Sequence, residues 1–209
     1  TDIEEVDENK NKNDSKYSFE NSFNKLKGVN KDTVGYLIVN NTNISYPVVQ
    51  TSNNNYYLKH DFYKKKYSIG WIYMDYRNNN KKLDDNTIIY GHNMSNGTMF
   101  GSLKNVLNSS WRKVKENMII DLYLEDKLYQ FKIFSVYKVD YTTDYLVTSF
   151  DTNSEKQEYI KMIRDRSSIK SNESVGITDK ILTLSTCTGS NNKRLAVHAV
   201  LINKGEGEI

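Results

Sequence analysis

The sequence holds a single cysteine, Cys187, and only three histidines, His60, His92 and His198. A lone thiol excludes an internal disulfide; it is either a small buried hydrophobe or a reactive group. An ordinary thiol titrates near pH 8.5, so only roughly a few per cent is nucleophilic thiolate at neutral pH. Such a nucleophile needs a proton carrier, and histidine is the usual one. His60 lies in the charged stretch LKHDFYKKK, which reads as a solvated loop. His198 sits mid-run in RLAVHAVLI, where a hydrogen-bonded core histidine is the commoner outcome. His92 follows TIIYG and precedes NMSNG, where a strand feeds a loop, and strand ends of this kind present catalytic groups. Position favours His92.

Cys187 closes the strand pattern ILTLSTC, and Gly189, Ser190, Asn191 and Asn192 are turn formers before RLAVHAVLI begins. An antiparallel hairpin there brings Arg194 back beside Cys187. A guanidinium is always charged: it favours thiolate, and it donates hydrogen bonds to a carbonyl oxygen or oxyanion. An ordinary exposed arginine is the alternative reading.

These residues must be held by a scaffold, and 209 residues suffice for one domain with a substantial core. Hydrophobic residues are 37% of the chain, supplemented in bulk by 16 Tyr and 7 Phe. Residues 1–16 are polar and charged and read as a disordered linker or stalk, leaving 17–209 as a single domain. Tyr17, Phe19, Phe23 and Leu26 recur at helical spacing, which predicts an N-terminal helix over 17–28 with Gly28 at its stop.

Strand grammar follows: short β-branched and aromatic runs at 33–39, 44–50, 68–75 and 86–92, then longer ones at 118–126, 127–140, 180–187 and 194–202. Glu125, Asp126 and Lys127 suit a hairpin turn, and Phe100–Leu107 one or two helical turns. Pro47, the only proline, belongs at a strand edge or start. One helix interrupts this half, over Ser154–Arg166, with Tyr159, Ile160, Ile163 and Ile169 marking an apolar face. The fold class is mostly β with helices, a closed or nearly closed eight-stranded barrel spanning 33–203.

The net charge of +3 is mild, and the run Lys64, Lys65, Lys66 reads as a solvated loop. No RNA- or DNA-binding signature accompanies it, so no nucleic-acid partner is expected. No stretch reaches the roughly 18 to 20 apolar residues of a membrane span. The first residue is Thr1 rather than Met, which leaves room for an upstream signal or anchor.

Together, YGHN (90–93), TLSTC (183–187) and the arginine seven residues past the cysteine resemble the sortase signature: a histidine after a strand, TLxTC, and a strand-opening arginine. The resemblance runs from the N-terminal helix to about Leu201. The helices at Tyr17–Lys27 and Ser154–Arg166 are similar to the extension and the inserted helix between strands 6 and 7 of class B sortases. It implies a closed eight-stranded sortase barrel with no cofactor. The acidic residues of a class A calcium site are not evident, so no metal is expected.

The resemblance further implies a cysteine transpeptidase with catalytic residues Cys187, His92 and Arg194, and makes His198 a framework residue. Its substrates would be surface proteins bearing a Pro- and Thr-containing C-terminal sorting motif. Its amine acceptor would be peptidoglycan or a lipid-linked precursor. The enzyme would work at the extracytoplasmic face of the membrane, in the cell envelope, held by an N-terminal anchor absent from this chain. The peptide groove would involve YTTDYLVT (141–148), with Tyr145 and Leu146 against the motif, together with Ser185 and Leu58. Two other readings stay open: a cysteine peptidase that only hydrolyses, and a non-catalytic surface-ligand-binding barrel with an inert Cys187.

Overall fold

A computed structural model describes residues 22–125, 127–140, 142–187 and 193–203, with Cys187 and Asn203 described by their backbones alone. The expected linker at 1–16 and the first turn of the expected helix lie outside the described residues. Helix α1 covers residues 22–29, running through Gly28, with Phe23 buried. Eight strands follow: β1 (Thr33–Val39), β2 (Ser45–Val49), β3 (Tyr73–Met74), β4 (Asn86–His92), β5 (Ile119–Leu124), β6 (Lys127–Asp140), β7 (Ile181–Cys187) and β8 (Lys193–Asn203). The short helix α2 (Ser109–Arg112) precedes β5, and α3 (Asn153–Asp165) connects β6 to β7.

The strands close into a barrel, as the sequence leads one to expect, in the order β1-β2-β3-β4-β7-β8-β6-β5. Strand alternation is plain in β1, whose residues alternate between buried and half-buried. Central strands differ because they are covered twice. Leu37, Ile89, Leu122, Phe131, Leu184 and Val197 fill the barrel interior. A second core, including Ile88, Phe134, Tyr137, Tyr145 and Tyr159, packs outside it beneath α3 and the segment before that helix. Accordingly, every residue of β4 is buried except His92 at its end.

Helix α3 is positioned by its own sequence. The Thr152 side chain caps it by accepting from Glu155 N at 3.2 Å, and Lys156, Tyr159, Ile160 and Ile163 form its buried face. β5 and β6 meet at Leu124 and Lys127, so the expected hairpin is present, with Lys127 already in β6 rather than in the turn and Glu125 at φ +52°. Pro47 lies inside β2 opposite Tyr36. It is tolerated because β3 pairs β2 only at Val49, so Pro47 owes no hydrogen bond on that side.

Candidate active site

β4 and β7 run parallel in unbroken register from Asn86 opposite Ile181 to a last pair, His92 opposite Cys187. On the other flank of β7 lies β8, antiparallel, and that ladder ends at Ser185 opposite Ala196. Beyond it Leu195 N donates to Thr186 Oγ1 at 2.8 Å instead of to a main-chain carbonyl. Cys187 and Arg194 each stand two residues past the last pair, on adjoining strands. Three neighbouring strands thus deliver His92, Cys187 and Arg194 to one end of the barrel.

His92 and Arg194 both line a cleft of about 950 Å³. Tyr90 lines it too, as alternation along β4 requires, whereas Ile89 joins the barrel interior. Gly91 faces inward, where an added Cβ would sit 2.5 Å from Ile72 Cδ1 and 2.6 Å from Phe100 Cγ. Only glycine lets β4 pack this closely while turning its neighbours outward.

Asn54, Leu58, Tyr73 and Arg77 line the cleft as well, and the connection from β6 to α3 walls it with Thr143 and residues 146–149. That connection has neither helix nor strand in its second half, yet three successive carbonyls are pinned. Leu146 O accepts from Arg77 Nη2 at 2.9 Å, Val147 O from Asn86 Nδ2 at 2.7 Å, and Thr148 O from Asn86 N at 3.1 Å. Asn86 is in turn gripped by Thr183 Oγ1, which donates to its Oδ1 at 2.7 Å.

Arg77 is fixed by the fully buried Asp75, receiving Nε at 2.9 Å and Nη2 at 2.8 Å, while the Tyr90 hydroxyl donates to the same carboxylate at 2.8 Å. Burial alone would raise the Asp75 carboxyl, but the hydrogen bonds from Arg77 and Tyr90 outweigh it and hold it below the usual carboxylate range. Burial, and then the Asp75 charge, push the Tyr90 phenol upward, so it stays a neutral donor.

Of the residues singled out in the sequence, Leu58 and Leu146 line the cleft beside His92 and Arg194. Tyr145 and Ser185 do not. Both are fully buried behind the wall, with their hydroxyls 2.8 Å apart, and Tyr145 O accepts from Tyr159 OH at 2.8 Å. His198 is buried in the framework, Nδ1 2.8 Å from Thr183 Oγ1 and Nε2 3.0 Å from Tyr137 OH. Burial, reinforced by the Arg166 charge, lowers its pKa to about 3, so it is neutral. His60 is half-buried, stacked on Tyr56 at 4.0 Å between ring centroids, and is not part of the cleft. Among the described residues, no group of three or more His, Cys, Asp or Glu could hold a metal ion.

Sequence reading missed Asn54, Asp75, Arg77 and Tyr90. Tyr90 was within reach, since it lies two residues before His92 on the same strand face. MDYRN carried no comparable signal.

The sortase domain family matches residues 37–202. The sortase B of Listeria monocytogenes is 37% identical over 184 residues, covering 86% of this chain and 73% of that protein. The structure of a cysteine-to-serine form of Clostridium perfringens sortase B superposes with a TM-score of 0.84 at 34% identity, over 91% of this chain and 90% of that one. A Staphylococcus aureus sortase B–substrate complex gives 0.81 at 34% identity, over 88% and 86%. With its closed eight-stranded barrel and its helix between β6 and β7, the chain belongs to the sortase family and, within it, to class B.

Proposed function

We propose that this cysteine transpeptidase works through Cys187 as nucleophile, His92 as proton carrier and Arg194 as the group that orients the substrate carbonyl. The observation that supports the assignment best is the register: His92 opposite Cys187, and Arg194 on the next strand at the same barrel end.

In the first half-reaction the Cys187 sulfur, its proton passed to His92, attacks the carbonyl carbon of a sorting-motif threonine, and the carbonyl π electrons move to oxygen. Arg194 donates to that oxygen as negative charge develops there, which lowers the barrier more than an equal contact to the ground state. The tetrahedral intermediate then expels the amine of the next residue, which His92 protonates, leaving a thioester. In the second half, an amine of a cell-wall peptide attacks the thioester carbon. His92 takes the proton that the amine sheds, the thiolate leaves, and an amide joins the surface protein to the wall.

Leu58 and Leu146, both lining the cleft, are the apolar contacts for the motif. Tyr145 and Ser185 serve the motif indirectly, by backing the wall that carries Leu146. The partners are surface proteins with a Pro- and Thr-containing motif, and peptidoglycan or its lipid-linked precursor. Family membership sets the enzyme in the cell envelope, outside the cytoplasm. An N-terminal membrane anchor belongs to the same proposal.

Intact-protein mass spectrometry after exposure to a library of candidate sorting peptides tests the assignment. The expected result is an acyl adduct on Cys187, lost in Cys187→Ala and reduced by at least about a hundredfold in rate in His92→Ala and Arg194→Ala. Adding a glycine- or diaminopimelate-type amine should then yield ligated peptide. Cleavage without ligation would point to a hydrolytic peptidase, and an unmodified Cys187 to a non-catalytic barrel.

A further inference from the structure

Arg77 is bound tightly on one edge and open on the other. Its Nε and Nη2 donate to Asp75 Oδ1 and Oδ2, and Nη2 also donates to Leu146 O. Those bonds use three of the five N–H groups a guanidinium carries. The remaining two are on Nη1, and among the described residues none accepts from them. Arg77 lines the cleft, and its side chain is 40% exposed there.

The carboxylate behind it is enclosed. Asp75 is 0% exposed, and it also accepts from Tyr90 OH, from Asn54 Nδ2 at 3.1 Å and from the Arg77 backbone N at 3.0 Å. Among the described residues, no Asp or Glu lines the cleft to compete for the open edge. The Asp75–Arg77 pair is neutral as a unit, so that edge acts as an oriented donor rather than a bare cation. Preorganised donors of this kind bind oxygen acceptors without first paying to order the side chain.

Position along the cleft says which part of a peptide would meet it. Asp75 N donates to Ile88 O at 2.9 Å, and Ile88 lies four residues before His92 on β4. Four residues of strand span roughly 13 Å, the length of about four residues of extended peptide. Side-chain reach shortens this to roughly two to four positions.

We infer that Arg77 is a specificity-determining residue whose Nη1 edge binds a side-chain amide or carboxylate oxygen of the sorting peptide, roughly two to four residues from the cleaved bond, with Asp75 as the positioning residue that holds it. The inference rests on the transpeptidase reading, because it takes the cleft to be the peptide site.

The test is a peptide panel in which each position in turn carries Asn, Asp or Leu. The readout is kcat/KM for acyl transfer in the otherwise intact protein. The wild type should prefer the oxygen-bearing side chain over Leu at one position by about 10- to 100-fold, the range for a hydrogen bond to a charged group. The Asn-to-Asp ratio there tells amide from carboxylate. Arg77→Met should bring the preference to within about twofold. A general loss of activity from a loosened Leu146 cancels in that ratio. Arg77→Lys keeps the charge but not the fork, so it should not restore the preference, and it serves as the second variant should Arg77→Met not fold.

Fluorescence anisotropy of the same panel on Cys187→Ala reads discrimination without turnover. A wild type that acylates with no peptide, beside a Cys187→Ala form that still binds with an Arg77-dependent preference, sinks the transpeptidase reading and keeps Arg77 as the residue that selects the peptide side chain. An absence of positional preference with Arg77 intact in both assays, or a preference untouched by both Arg77 variants, overturns the inference and leaves Arg77 a brace for Leu146.

Discussion

The hydroxyls of Tyr145 and Ser185 stand 2.8 Å apart in the second core, two residues before Cys187 on one side and one residue before Leu146 on the other. Each hydroxyl has the other as its partner. Removing one leaves a buried polar group unsatisfied, whereas removing both leaves none. Tyr145→Phe and Ser185→Ala should therefore each cost about 1 to 2 kcal/mol of unfolding free energy, and the double variant clearly less than their sum. Denaturant melts of the four proteins measure the coupling. Additive costs, together with a raised peptide KM, would instead make the pair a direct substrate contact.

The contrast between Tyr145 and His92 marks what the sequence discloses. The place of His92 at the cleft was legible because its signals are local: an apolar strand, a glycine, then a loop. The meeting of Cys187 and Arg194 at one barrel end was legible because so few residues separate their strands in sequence. Tyr145 and Leu146 are adjacent in sequence, yet one lines the cleft and the other is buried behind it. No local pattern separates two apolar residues in an irregular segment; the anchors that orient them, Arg77 and Asn86, lie some 60 to 70 residues away. The expected strand at 68–75 shrank to Tyr73–Met74 for a related reason. Gly70 adopts φ +68° with its Cα hydrogens against Tyr57 O, and Trp71 spends its backbone N on that same carbonyl and its indole N–H on Pro47 O. Hydrogen bonds to Tyr57 and Pro47 displaced the ladder that the β-rich composition suggested.

Gly91 gives a second prediction. An added methyl would press into Ile72 and the Phe100 ring, so β4 must shift at the residue that precedes His92. Gly91→Ala should cost about 1 to 3 kcal/mol and slow acylation of Cys187. Gly176→Ala is the control, because its nearest neighbour, Asp179 Oδ2, lies at an ordinary 3.7 Å. Thermal melts and acylation rates compared between the two variants decide the matter, and equal behaviour would show that the strand absorbs the methyl.

His198 sets the response to mild acid. Its folded pKa, about 3, lies below the ordinary 6.5, so between those values the unfolded chain binds a proton that the folded one does not. Stability from this residue is complete above about pH 6.5 and drains as pH falls towards 3. Between pH 7 and pH 5 the loss should be roughly 1 to 2 kcal/mol. Asp75, Asp85 and Asp144 are each held below the ordinary carboxylate value, so what they contribute is lost only at lower pH. His198→Gln should flatten the slope of unfolding free energy between pH 7 and 5, whatever its effect on stability itself. An unchanged slope would assign the acid response to other groups.

Asn86 is the residue on which the cleft wall turns. Its side-chain amide donates to Val147 O and, at 3.0 Å, to Tyr159 OH, while its carbonyl accepts from Thr183 and its backbone N holds Thr148 O. Asn86→Asp is nearly isosteric but exchanges two donors for an anionic acceptor. Val147 O then faces a negative charge where it had a hydrogen-bond donor, inside a site with no access to solvent. The cost should reach about 3 to 5 kcal/mol at neutral pH, as for other uncompensated buried charges, and should shrink towards acid as the new carboxyl takes a proton. Because the released segment carries Leu146 to Ser149, KM for the sorting peptide should rise more than kcat falls. Asn86→Ala separates the two effects: it frees the same carbonyl without introducing charge, so it should share the KM defect and lack the acid rescue. A wall that keeps its KM in both variants would show that Arg77 alone suffices to hold it.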